Sequence, residues 1–150
     1  MATETFLMLW NPDTFREFAA EIPVLRAEIS ANGTVSDWWS TGTRVHGIEE
    51  GDRVFLVRTA VKPWSVIASG RASGTVYHAP RHSADEVGYN NRVRIEWDHV
   101  LDQEHAMPIP EQEPELYAYV TKRQASGNKL SPEWAATLSK YWESHLRLHA

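Results

Sequence analysis

Residues Thr5–Thr14 read TFLMLWNPDT. An apolar run closed by a large ring reads as a buried strand, and Asn-Pro directly after it is a helix-start signal. Asn11 suits the N-cap, Pro12 the first helical position, and Trp10 can staple onto Phe15. The corner has a second use. A strand that ends in an indole and a side-chain amide can hold a flat ligand. The capping reading is the more general one, and the two compete for the same Asn11 amide.

Outward from this corner, Phe15, Phe18, Ala19 and Ile22 recur at helical spacing, and Pro23 is expected to end that helix. Leu25 and Ile29 continue the apolar face in a further turn, and Asn32-Gly33 is a stop. The segment Arg53–Arg58 (RVFLVR) is apolar on both faces and predicts a strand buried on both sides. A long strand is expected from Ser65 to about Tyr77, with Gly70 and Gly74 marking bulges or coiling. Residues 78–91 read as a loop, Arg92–Asp98 as a half-buried alternating strand, and 102–115 as a second, acidic loop. Leu116–Val120 is expected to be a short strand, and Ser131-Pro132-Glu133 to open a final helix with Trp134, Leu138, Tyr141, Trp142 and Leu146 on one face. No repeat, linker or low-complexity tract interrupts the chain, so residues 1–150 are expected to form one domain.

The composition narrows the chemistry. With no cysteine, disulfides, thiolate metal sites and cysteine nucleophiles are excluded. No apolar run is long enough to span a bilayer, and the expected location is the cytoplasm. A net charge of −5 argues against a protein that coats nucleic acid nonspecifically, but not against one whose cations are gathered on one side. The histidine pairs His78/His82 and His145/His149, with Asp85 and Glu86 near the first, lack a convincing third ligand and read as solvated surface groups. Gly70–Gly74 has no following lysine-serine pair, so it is not a phosphate loop. No nucleophile elbow is present, and hydrolase chemistry has no motif behind it.

Binding has more support. Seven tryptophans are many for a chain of 150 residues, and Trp10, Trp38, Trp39 and Trp64 read as loop-proximal, near strand ends. Aromatic faces beside Asn11, Ser40 and Ser65 suit a planar base, with stacking worth roughly 1–3 kcal/mol per base. The competing structural role is that these rings plug the ends of a barrel.

The order of these pieces resembles the EVE domains of the PUA-like superfamily, which are related to YTH and ASCH domains. The matching stretches are Phe6–Pro12, Trp38–Gly42, Gly51–Arg58, Val66–Tyr77 and Val93–Pro108, with Arg123–Gly127 similar to a C-terminal part of EVE-like readers. The triplet Trp39-Ser40-Thr41 also looks like the cage tryptophan segment of YTH domains. The resemblance implies an α+β fold: a small mixed PUA-like β-barrel of about five to six strands, flanked by N- and C-terminal helices. It also implies a concave pocket for a modified base, N6-methyladenine in RNA for YTH domains and modified cytosine in DNA for several EVE-like domains.

By position, Trp39 would form one aromatic wall and Trp64 a second, with Trp10, Trp38 and Thr41 beside them. Asn11 and Ser40 would contact the base edge, and Asp102 falls where YTH domains place a pocket-lining acid. Arg44, Arg58, Lys62, Arg71, Lys122 and Arg123 are the candidate phosphate partners. The implied activity is a non-enzymatic reader of DNA or RNA without cofactor or metal, working with an effector protein. The alternatives are a sensor of a free nucleoside or nucleotide, and an ASCH-like hydrolase using Lys62 or Asp102.

Overall fold

The computed structural model describes residues 3–80 and 89–149. The chain runs β1 (Thr5–Trp10), α1 (Glu17–Asn32), β2 (Val35–Gly42), β3 (Arg53–Arg58), β4 (Ser65–Ala72), β5 (Tyr77–Pro80) and β6 (Tyr89–Val100). A short 3-10 turn (Gln103–His105), β7 (Met107–Pro108), α2 (Pro114–Thr121), β8 (Asn128–Leu130) and α3 (Pro132–His149) follow. The architecture is the expected α+β one, a small curled sheet with flanking helices, but among the described residues the sheet has eight strands, not five or six.

Its order is β2-β6-β4-β3-β1-β8, with β5 added to β6 and β7 to β4. The pair β1–β3 is parallel, Thr5 opposite Arg53 and Trp10 opposite Arg58, so both strands end at the same rim. Two cores lie on the two sides of this sheet. Phe6, Met8 and Trp10 of β1, with Val54 and Leu56 of β3, meet Phe18, Ile22 and Leu25 of α1 on one side. Leu7, Phe55 and Val57 meet Leu116 and Val120 of α2 and Leu138 and Trp142 of α3 on the other. The two-sided apolar pattern of Arg53–Arg58 is thus satisfied by helices on both faces, as expected.

Several local expectations are corrected. Asn11 does not cap α1. Residues 12–14 form a turn and the helix begins at Glu17, because the Trp10 indole takes the Phe15 carbonyl at 2.7 Å and the chain wraps that ring first. Pro23 does not end the helix, which runs through to Asn32. The proline removes one backbone donor there, while buried Ile22 and Leu25 anchor the helix on either side. Gly33, at φ +88°, closes it with its N–H on the Ile29 carbonyl.

The strand expected over 65–77 stops at Ala72, although the bulge does fall at Ser69/Gly70, as the glycine suggested. Residues 78–80 and 89–91, read as loop, are paired strand, while His82, Asp85 and Glu86 lie outside the described residues. Leu116–Val120 is helix, not strand. Pro114 sits at its start, and Leu116 and Val120 bury one face four residues apart. Trp38 and Trp39 stand inside β2, not in a loop. The final helix begins as expected, the Trp134 N–H bonding Ser131 Oγ at 3.2 Å.

The open side of the curl, between β1 and β2, is closed by residues 123–127. Leu9 N–H donates to Ser126 Oγ at 2.8 Å, Gly127 N–H to the Leu7 carbonyl at 2.9 Å, and Arg44 Nε to the Gly127 carbonyl at 2.6 Å. Gly127 has φ +90°, and a Cβ there would stand 2.5 Å from the Thr41 carbonyl, so no other residue fits this seam.

Candidate functional site

Beside that seam, at the rim where β1 and β3 end, lies a cavity of about 840 Å³. Ligand pockets for small organic molecules fall in roughly the 300–1,000 Å³ range. Six residues singled out from sequence meet in its lining: Trp10, Asn11, Trp38, Trp39, Ser40 and Trp64. Arg123 of the phosphate set joins them.

The rings play different parts. Trp10 is 1% exposed, with its indole N–H on the Phe15 carbonyl and its ring edge-on to Phe18 at 5.0 Å. Trp39 is 6% exposed and bonds the Leu9 carbonyl through Nε1 at 3.1 Å. Phe15, Phe18 and Trp97 surround it at 5.6, 5.1 and 6.5 Å. Both are the floor of the site, held by the core. Trp38 is half-buried and carries the Arg92 guanidinium 3.7 Å from its ring centroid. Trp64 is half-buried, and its indole N–H makes no hydrogen bond among the described residues. Trp64 is therefore the ring with both a surface and a donor to offer.

Asn11 divides its amide. Oδ1 accepts the Asp13 N–H at 2.9 Å in a turn of its own, while Nδ2 has no partner among the described residues. Ser40 Oγ accepts the Gly42 N–H at 3.2 Å.

The remaining candidates lie elsewhere. Thr41 is buried behind the wall, its hydroxyl donating to the Arg44 carbonyl at 2.8 Å. Asp102 is not in the lining. It caps the 3-10 turn, bonds His105 Nδ1 at 2.8 Å and faces Arg26 of α1 at 3.5 Å; the His105 bond holds its carboxyl below the usual aspartate range. Arg58 is buried, donates to the Gln103 carbonyl at 3.0 Å, and burial lowers its pKa from the ordinary arginine value. Arg71 bonds the Gly51 carbonyl at 3.0 Å, at the opposite end of the sheet from the cavity. Lys62 and Lys122 are exposed and do not line the cavity, and Arg44 lines a neighbouring groove.

Sequence reasoning missed Leu9, Thr14, Phe15, Glu17, Thr59, Ala60, Asn90 and Gln124–Ser126, which complete the lining. Ala60 carried no signal of its own, yet it stands at φ +66° on the rim, a conformation that costs a non-glycine residue of the order of 1–3 kcal/mol. Arg123–Gly127 has only a family-like pattern in sequence, and its place beside β1 is a tertiary fact.

A similar architecture occurs in solved structures. A Leishmania major protein aligns over 95% of this chain and 97% of its own, with TM-score 0.58 and 12% identity. A Pseudomonas syringae protein aligns over 91% and 99%, with TM-score 0.57 and 16% identity. The Mmi1 YTH domain, in a crystal structure of its complex with RNA, aligns over 97% of this chain and 80% of that one, with TM-score 0.54 and 9% identity. The fold is YTH-like. No protein-family model matches the chain, and no curated protein matches it. At such identities the likeness is one of fold, and the YTH-like barrel carries its cavity at the rim of β1 and β3, between β2 and the 123–127 seam.

No helix among the described residues is long and apolar enough to cross a membrane.

Proposed function

We propose that this chain is a non-enzymatic reader of the EVE type that holds a modified nucleobase of DNA or RNA in the cavity beside Trp64. The observation that carries the reading is the convergence on one cavity of Asn11, the stretch Trp38-Trp39-Ser40 and Trp64, three places far apart in sequence. Trp64 stacks on the base and Trp39 forms the floor. The Asn11 Nδ2, without a partner among the described residues, and the Ser40 hydroxyl meet the base edge. Arg123 supplies the cation for the adjoining phosphate. The RNA bound to the Mmi1 YTH domain, a protein of similar fold, favours a nucleic-acid ligand over a free metabolite. Lys62 and Asp102, the groups named for a hydrolytic reading, do not line the cavity, and the carboxylate in its lining is that of Glu17. In duplex DNA the base would have to leave the stack, at a cost of a few kcal/mol.

Fluorescence anisotropy with labelled single strands tests this, each strand carrying one 5-methylcytosine, 5-hydroxymethylcytosine or N6-methyladenine beside its unmodified counterpart. One modified strand is expected to bind more tightly than its counterpart, and Trp64→Ala to weaken it by about 1–3 kcal/mol. Failure of every strand at low salt, or equal binding by Trp64→Ala, would count decisively against the reading.

A further inference from the structure

The cavity has a neighbour. A groove of about 480 Å³ lies on the far side of the 123–127 seam, and Ala125 and Ser126 line both spaces. The bridge between them is cationic and aromatic. Arg123, in the first lining, stacks 4.2 Å over the ring of Tyr119, which is in the second, and bonds the Tyr119 carbonyl through Nε at 3.0 Å. The groove then offers Arg44, Lys129 and His46, and among the described residues no aspartate or glutamate lines it. In a chain of net charge −5, a groove lined by two permanent cations, with a carboxylate outside the lining, Glu4, beside one of them, is a local reversal of sign.

The groove is also built to persist. Its wall is fixed to β1 by Ser126 and Gly127, and Arg44 is pinned by the Gly127 carbonyl and stands 5.0 Å over the Phe6 ring. Lys129 sits on β8, tied to β1 by strand pairing, and its ammonium reaches Glu4 at 3.4 Å with both side chains largely in water. An exposed pair of that kind is weak and yields to a better anion.

We infer that this groove carries the sugar-phosphate backbone of a single strand whose base occupies the first cavity, the strand crossing the seam at Arg123–Tyr119. The inference rests on the reader function proposed above and adds to it a direction of travel and a second binding region. A phosphodiester chain suits the site because it carries a charge at every link, and cations stand in both adjoining linings, Arg123 in the first and Arg44 and Lys129 in the second. For a single strand, removing one cationic partner of a phosphate lowers the steepness of log K against log salt by about 0.7.

The test compares two lengths of each strand used above: a trinucleotide centred on the modified base, and a 12-mer with the same centre. For the tighter pair, Lys129→Glu and Arg44→Ala are expected to weaken the 12-mer several-fold and flatten its salt dependence by about 0.7 or more, with Lys129→Glu leaving the trinucleotide unchanged. If Arg44→Ala lowers the melting temperature, Lys129→Glu alone carries the test, because its side chain is exposed. Equal 12-mer affinity and slope in Lys129→Glu would overturn the groove while the reader function stands. Binding of neither length by the wild-type protein would overturn both. A poly-glutamate peptide that displaces the labelled 12-mer as effectively as unlabelled 12-mer does would overturn the assignment to nucleic acid.

Discussion

Five of the seven tryptophans fall into two sets that differ in where the indole N–H goes. Trp10, Trp39, Trp97 and Trp142 are buried, and each donates inside the protein: to the Phe15 and Leu9 carbonyls, to Asp37 Oδ2 and to Ser69 Oγ. Trp64, half-buried at the cavity, donates to nothing among the described residues. A buried donor left without an acceptor costs about 1–3 kcal/mol, so the interior fixes its indoles, while a ring at a cavity can keep its donor for a ligand or for water. Ring number alone therefore says little about function. Among these five rings the fate of the donor separates scaffold from site.

Trp142→Ala tests that division hardest. The ring is fully buried, lies edge-on to Phe55 at 6.2 Å, and heads a chain through Ser69 Oγ to Asp98 at 2.6 Å. Loss of about 3–5 kcal/mol is expected in urea unfolding, from the cavity left behind. That chain, continued by His99 on the same Asp98 oxygen at 3.0 Å, is no catalytic triad, because the carboxylate and not the imidazole contacts the serine. Trp39→Ala is expected to cost a similar amount and to lose binding only because the floor collapses, whereas Trp64→Ala, at a ring only half-buried against the second core, is expected to cost clearly less. A stable Trp39→Ala protein would dissolve the distinction between the two sets.

Next comes Gly70→Ala. An added Cβ would run into the Glu96 backbone carbonyl across the β4–β6 bulge, and about 1–3 kcal/mol of destabilisation is expected by thermal melting. Gly74→Ala has open space around its Cβ and is expected to be near neutral, which separates the glycine that shapes the sheet from one that does not.

A smaller effect concerns Asp37, which accepts the Trp38 N–H at 2.8 Å and the Trp97 indole at 3.1 Å. Burial pushes its pKa above the ordinary aspartate value and outweighs these two bonds, which pull it down. A raised folded-state pKa means the folded protein holds this proton more tightly than the unfolded chain. The stability it confers is present at acid pH and is lost as pH rises through the raised value. In Asp37→Asn the difference in stability from wild type is expected to change across that window and to be flat above it. A difference curve that is flat throughout would show that Asp37 is solvated like any surface carboxylate.

Much of the scaffold was legible because its signals are local. Arg53–Arg58 is apolar on both faces and is covered on both faces, and Ser131-Pro132 opens a helix through its own side-chain and backbone geometry. The failures share a cause. Leu116 and Val120 fit a strand or a helix equally, and only their seat beside Leu138 and Trp142 selects the helix. Asp37, Ser40 and Gly42 disguise β2 as a loop, and pairing with β6 overrides them. In the site, Trp64 and Asn11 were found from residue type and position, but Asp102 was placed by analogy and belongs with Arg26 and His105.

The amino-acid order is enough to make Thr5–Trp10 a buried strand, to turn the chain at Asn11-Pro12, and to put aromatic and amide groups near such turns. Those are matters of periodicity and of one residue's own backbone preferences. Which of Asn11's two amide atoms is taken, and which indoles donate inside the protein, was decided by the assembled fold. So was the closure of the curl beside β1 by residues 123–127. Hydrogen-bond partners distant in sequence are chosen by packing, and no local pattern encodes them.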